Sequence, residues 1–144
     1  MTRRDFERGK LENSKAKRHE VELPHRELTG LVIGAAIEVH KALGVGFLES
    51  FYEAALGVEL RRRGLSFETQ VSVPVRYRGI EIGRHRLDLL IEGFLVVELK
   101  ATVALEGIHF AVLKSYLRAT GSRFGLLFNF HAYPLDIRRV RAPS

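Results

Sequence analysis

Apolar residues in the first half of the chain recur every three or four positions, which is the spacing of one helix face. This pattern predicts a helix from about Glu27 to Leu43, and a second one that begins near Leu48 and ends in Arg61 to Arg63. Gly44 and Gly64 follow the two segments directly, and glycine after the last turn is a common helix stop. The domain is therefore predicted to open on two consecutive helices.

Beyond the second helix the hydrophobic period changes from 3.6 to two. Apolar and polar residues alternate from Phe67 to Tyr77, which predicts a strand. Pro74 inside this segment indicates an edge position or a bulge, because proline donates no ladder hydrogen bond. Ile80 to Ile91 and Phe94 to Ala101 are the predicted second and third strands, each preceded by a turn that contains glycine.

The last third of the chain combines a helix with strands. The helix is predicted over Glu106 to Ala119, followed by an apolar, central strand at Arg123 to Phe130 and an edge strand at Leu135 to Val140. A crossover helix of this length places the strand after it parallel to one of the earlier strands, through a right-handed connection. The order α-α-β-β-β-α-β predicts an α/β (α+β) domain in which helices flank a mixed sheet.

Length and composition restrict the class of protein. A chain of 144 residues fits one domain, and its charge-rich start predicts a flexible arm at residues 1–23 before a domain at 24–144. The absence of cysteine excludes disulfides, zinc–cysteine sites and thiol chemistry. The start resembles no signal peptide, and no apolar run is long enough to cross a membrane. We therefore expect a soluble, cytoplasmic protein.

The charge balance is basic. Lys and Arg number 23 against 17 Asp and Glu, a net charge of +6. Such a chain suits a nucleic-acid partner, because phosphate contacts supply most non-specific affinity. The same charge also serves simply to keep a small domain in solution, so charge alone does not decide between these interpretations.

The second and third strands carry the candidate chemistry. Glu98 and Lys100 are two residues apart and share one strand face. If a three-residue turn places Ile91 opposite Leu95, then Asp88 lies opposite Glu98, with Cβ atoms about 4.5–5.5 Å apart. Two adjacent carboxylates repel each other, and a hard cation such as Mg²⁺ or Mn²⁺ relieves that repulsion. The alternative, equally compatible with these residues, is a cross-strand Glu–Lys pair on a solvated face.

Several separated motifs resemble a known family. The segment GFLESFY, Gly46 to Tyr52, has the pattern G-x-x-E-x-x-Y, and Asp88, the ELK triplet, YLRATG and GLLFNF follow it in order. Together they resemble the GxxExxY protein family of the PD-(D/E)XK nuclease-like superfamily, over about His25 to Val140. The resemblance implies a restriction-endonuclease-like core.

The resemblance also implies roles for individual residues. Asp88 and Glu98 match the metal-binding carboxylates, and the backbone carbonyl of Leu99 is a further candidate ligand. Lys100 matches the catalytic lysine. Glu49 matches the helix carboxylate that completes or orients the site.

The crossover helix matches the family less completely. Tyr116 corresponds to the tyrosine of a Q-x-x-x-Y element that contacts substrate, but Val112 stands at the glutamine position. This departure removes a polar group and raises the question of whether the site is fully active. Lys114, Arg118 and His109 on the same helix are candidate substrate contacts, although a solvated surface or a helix cap is the commoner role of such residues.

Two further residues have an ordinary structural explanation. His40 and His109 are alternative ligands of the site, as histidines are in some related nucleases, but a capping or semi-buried role is the usual one for such a histidine. We expect Tyr52 to pack or hydrogen-bond toward Glu49. The resemblance thus predicts a Mg- or Mn-dependent nuclease acting on DNA or RNA. The alternatives are a weakly active or inactive module that binds nucleic acid, or one that binds a protein partner. A homodimer is compatible with the sequence, and no residue indicates one.

Overall fold

The structure, a computed structural model, describes the backbone of residues 22–143 and the side chains of residues 26–143. The predicted arm lies outside these residues except for its last two positions, which are already helical. The elements are, in chain order, α1 (Glu22–Leu43), α2 (Glu49–Arg62), β1 (Phe67–Tyr77), β2 (Ile80–Ile91), β3 (Leu95–Lys100), α3 (Gly107–Thr120), β4 (Phe124–Asn129) and β5 (Asp136–Arg141).

This order agrees with the predicted one, and the main difference is the start of α1. The helix begins five residues earlier than the apolar spacing indicated, with Pro24 in its first turn. Proline is tolerated there because the first backbone N–H groups of a helix have no partner within it. Within the described part of the chain, no helix is long and apolar enough to cross a membrane.

The five strands form one mixed sheet in the order β1-β2-β3-β4-β5. Neighbours are antiparallel except β3 and β4, which α3 connects in parallel. The predicted crossover is therefore confirmed, as are the edge positions of β1 and β5. Pro74 lies in the edge strand, and the pairing register shifts beside it, between Val75 and Arg76.

Helices cover the sheet on both faces, and each face has its own core. On one side α1 and α2 pack their apolar faces against β3 and β4, with Val32, Leu56 and Phe128 fully buried. On the other side α3 packs Leu113 and Leu117 against the same two strands. The sheet is thus the middle layer of three, as expected for a domain with a crossover helix.

The sheet splits at Asp88. Residues two apart in a strand normally point to the same face of the sheet. Leu89, however, belongs to the core on the α1 side and Leu87 to the core on the α3 side. The alternation of faces along β2 is therefore interrupted between them. Gln70, on the neighbouring strand, has a positive φ of 51°. From Asp88 outward, β1 and β2 continue as a two-stranded ribbon that ends at Tyr77 and Ile80. We call this point the fork.

Candidate active site

The fork brings Asp88 and Glu98 together. Pairing of Ile91 with Leu95 and of Leu89 with Val97 gives the register that the turn length predicted. The backbone N–H of Asp88 donates to Oε2 of Glu98 at 3.0 Å, and the N–H of Leu99 donates to Oδ2 of Asp88 at 2.8 Å. Each carboxylate therefore accepts a hydrogen bond from the opposite strand, which fixes both side chains where the strands separate.

Glu98 is a buried carboxyl group, with 7% of its surface exposed. Burial first, and then the nearby charge of Asp88, raise its pKa from 4.5 to about 9, while Lys100 acts in the opposite direction. Without a cation the folded protein therefore holds a proton on Glu98 at neutral pH. A pair of hard oxygen donors, one buried and one half-buried, fits a divalent cation.

Helix α2 adds two carboxylates beside this pair. Glu49, the exposed first residue of the helix, accepts the backbone N–H of Ala101 through Oε2 at 3.3 Å. Glu53 lies one turn later, and Nε2 of Gln70 donates both to Glu53 Oε1 at 3.0 Å and to Asp88 Oδ1 at 3.4 Å. Burial, and to a smaller extent the charge of Asp88, raise the pKa of Glu53.

The sequence patterns did not single out Glu53 and Gln70. The spacing of four residues between Glu49 and Glu53 indicates a shared helix face, and this was the available signal for Glu53. Among residues 26–143, no three His, Cys, Asp or Glu side chains are close enough to hold one metal ion. The three-carboxylate ligand set with Glu49 therefore remains a prediction, as does the Leu99 carbonyl.

Helix α3 approaches the carboxylates from the other face. Tyr116 is half-buried, and burial followed by the charges of Glu98 and Asp88 raises the pKa of its phenol. Tyr116 thus keeps its proton at neutral pH and can donate a hydrogen bond. Its ring meets His85 edge to face, with centroids 4.3 Å apart. Val112, where the family pattern has glutamine, is 37% exposed one turn before Tyr116.

A cleft of about 350 Å³ separates α3 from the ribbon. Its lining includes Arg76, His85, Ser115 and Arg118. Ser115 Oγ donates its proton to the carbonyl of Val112 at 2.7 Å. In the 3.1 Å hydrogen bond between Ser115 Oγ and His85 Nε2, the histidine is therefore the donor. Burial lowers the pKa of His85, which keeps it neutral. Arg118 thus lines a cleft beside Tyr116, and both Arg118 and Lys114, one turn earlier, are exposed.

The other predicted residues have structural contacts. His109 Nδ1 accepts the N–H of Glu106 at 2.9 Å and so caps α3. His40 is buried and stacks with Tyr133. Tyr52 is fully buried against Phe130, and its hydroxyl donates to the carbonyl of Gly44 and accepts the N–H of Phe47. Tyr52 therefore holds the loop before α2, and in this way fixes the helix start that carries Glu49.

Comparison with known proteins agrees with this architecture. The family model of the PD-(D/E)XK nuclease superfamily matches residues 26–140, and the chain belongs to this superfamily. The crystal structure of SSO0001 is similar in fold, with a TM-score of 0.53 and 19% sequence identity over 67% of this chain. The chain spans about half the length of SSO0001, 51%. No curated protein matches the sequence.

Proposed function

We propose that the protein is a Mg- or Mn-dependent nuclease, of the GxxExxY type, that hydrolyses phosphodiester bonds of DNA or RNA. The observation that carries the proposal is the pair of carboxylates at the fork, Asp88 and Glu98, each bonded to the backbone of the other's strand. Superfamily membership over residues 26–140 supports it.

Asp88 and Glu98 would hold the cation, with Glu49 and the carbonyl of Leu99 as further ligands. When bound, a divalent ion polarises the scissile phosphate and lowers the pKa of a water molecule. Glu98 must release its proton as the cation binds, because its pKa in the metal-free site is about 9. Glu53 and Gln70 orient Asp88 through the amide bridge.

The remaining residues act on the substrate. The ammonium group of Lys100 neutralises negative charge that develops on the phosphoryl oxygens, or orients the attacking water. Tyr116 donates a hydrogen bond from its protonated phenol. Arg118 and Lys114 bind backbone phosphates along α3, and His109 lies at the start of that helix, where it is a further candidate contact.

Calorimetric titration with Mn²⁺ tests the proposal without a choice of substrate. We expect the wild type to bind and Asp88→Asn to lose binding, because the amide removes the negative charge but still accepts the N–H of Leu99. Glu81→Gln is the matched control, since Glu81 lies on the same strand and pairs with Arg84 in the exposed ribbon. Lys100→Ala is expected to abolish cleavage. Unchanged Mn²⁺ binding and cleavage in Asp88→Asn would refute the proposal.

A second candidate function is a nuclease-fold module that binds nucleic acid, or a protein partner, without cleaving. Val112 favours it, because an apolar side chain stands where the related enzymes have a polar one. This function requires salt-sensitive nucleic-acid binding that survives Asp88→Asn and yields no product. Cleavage by the wild type that Lys100→Ala abolishes would exclude it.

A further inference from the structure

A cavity of about 360 Å³ lies at the end of the sheet remote from the fork. It opens between the start of α1 and the edge strand β5. Its lining residues are Arg26, Thr29, Leu95, Phe124, Gly125, Leu126, Arg139, Val140 and Arg141. We call it the arginine pocket.

Strand geometry explains why β5 contributes two arginines. Val140 packs into the core on the α3 side, so Arg139 and Arg141, its neighbours in sequence, face the α1 side. They pair across the ladder with Leu126 and Phe124. The first turns of α1 bring Arg26 to the same opening, so that arginines from α1 and from β5 line one cavity.

Positive charge predominates among the described residues that line the pocket. Its described lining residues include three arginines and no Asp or Glu. The guanidinium group of Arg141 lies over the ring of Phe124, 5.1 Å from the centroid. Arg138, next to Arg139 on the same strand, points to the other face and pairs with Asp136. Three like charges around one cavity repel one another, and a bound anion relieves that repulsion.

The pocket is separate from the fork. It includes Leu95, the first residue of β3, whereas Glu98 lies three residues further along the strand. Three residues of extended strand span roughly 10 Å, and residues three apart point to opposite faces of the sheet. A phosphate bound in the pocket is therefore too distant to contact Asp88 or Glu98, and binding there does not depend on the proposed nuclease activity.

We propose that the arginine pocket binds a phosphomonoester. Guanidinium groups match phosphate oxygens in geometry as well as charge. A monoester carries nearly two negative charges at neutral pH, which suits three arginines better than the single charge of a diester. A cavity of this size fits a small organic group, and Phe124 and Leu126 supply an apolar floor for it. The phosphate belongs to a free nucleotide or to the phosphorylated end of a strand.

Calorimetry with adenosine 5′-monophosphate and with adenosine tests the proposal on the full chain. We expect the monophosphate to bind and adenosine to fail. Arg139→Gln and Arg141→Gln should each weaken binding about tenfold or more, the usual cost of removing a charged hydrogen bond. Arg138→Gln removes the same charge from the opposite face of the same strand and should bind as the wild type does. Thermal unfolding and Mn²⁺ titration of each variant verify that the fold and the fork are intact.

Two outcomes overturn the proposal. One is the absence of binding by the monophosphate and by a 5′-phosphorylated oligonucleotide. The other is binding of the monophosphate that is unchanged in Arg139→Gln and Arg141→Gln, or that Arg138→Gln weakens as much as these two variants do. A preference for the 5′-phosphorylated over the 5′-hydroxyl form of one oligonucleotide, abolished in Arg139→Gln, identifies a strand end as the ligand. Equal binding of the two forms, with the monophosphate still bound, identifies a free nucleotide.

Discussion

At the scale of single residues, the fold places the Glu98 carboxyl group where it is difficult to ionise, although the proposed metal site needs its ionised form. The side chain is buried beside Asp88, and its pKa of about 9 means that it holds a proton at neutral pH. The unfolded chain releases that proton at the ordinary pKa near 4.5. Folding therefore requires proton uptake at this residue whenever the pH lies between the two values.

This difference predicts that Glu98→Gln stabilises the metal-free protein in mildly basic solution. Because the folded-state pKa of Glu98 is raised, the contribution of its protonated carboxyl group to the free energy of unfolding is complete below pH 4.5. This contribution decreases as the pH rises through 9. The wild type should lose up to about 1.4 kcal/mol per pH unit in this window relative to the glutamine variant. Urea unfolding of both proteins with a chelator, from pH 5 to 9, measures it. Parallel stability curves would contradict the raised pKa.

At the scale of elements, the approach of α3 to the sheet depends on Gly125 in β4. A Cβ atom there would lie 3.1 Å from Leu113 Cδ1, 3.2 Å from Leu117 Cδ2 and 3.2 Å from the carbonyl oxygen of Val96. The carbonyl belongs to the backbone of β3 and cannot move aside without disturbing the strand. The missing side chain thus determines how close α3, and with it Tyr116, comes to the carboxylates.

Gly125→Ala is therefore expected to reduce the free energy of unfolding by about 1–3 kcal/mol, the usual cost of overpacking a core. Gly34→Ala provides a contrast, since a Cβ at Gly34 in α1 would meet no atom within 4 Å. Alanine in a helix interior stabilises by about 0.5–1 kcal/mol relative to glycine. Urea unfolding of the two variants should give opposite signs. Equal stability of Gly125→Ala and the wild type would show that the layers can separate without cost.

The elements also show how far the sequence could predict the structure. Helix and strand order followed from hydrophobic period, and the pairing of β2 with β3 followed from turn length, because both are local properties. The fork was not predictable, since nothing in the sequence marks Gln70 for a positive φ. Glu53 had a local signal in its spacing from Glu49. The arginine pocket had none, because it depends on where α1 begins relative to β5.

At the scale of the whole molecule, the net charge of +6 is distributed over separate surfaces. One surface is the cleft beside Tyr116, where Arg118 lies and Lys114 is exposed nearby. Another is the arginine pocket at the opposite end of the sheet. The candidate active site would therefore bind a nucleic-acid strand mainly through α3.

Lys114→Gln and Arg118→Gln should each weaken nucleic-acid binding across all sequences. Removing one cation that binds a phosphate should reduce the slope of log K against log salt by about 0.7–0.9. Fluorescence anisotropy with one labelled oligonucleotide, between about 50 and 200 mM salt, measures the slope. Arg63→Gln is the control, because Arg63 already pairs with Glu59 on α2. Equal slopes for all variants and the wild type would place the strand elsewhere.

The reciprocal bonding at the fork restricts how such a protein can diverge. Replacing Asp88 or Glu98 by an apolar residue leaves a backbone N–H of the opposite strand without its acceptor, at a cost of about 1–3 kcal/mol. An amide keeps the acceptor and removes only the charge. Asparagine or glutamine at these two positions is therefore the replacement that removes catalysis with the least damage to the structure. We expect descendants that have lost catalysis to have one of these amides in place of Asp88 or Glu98.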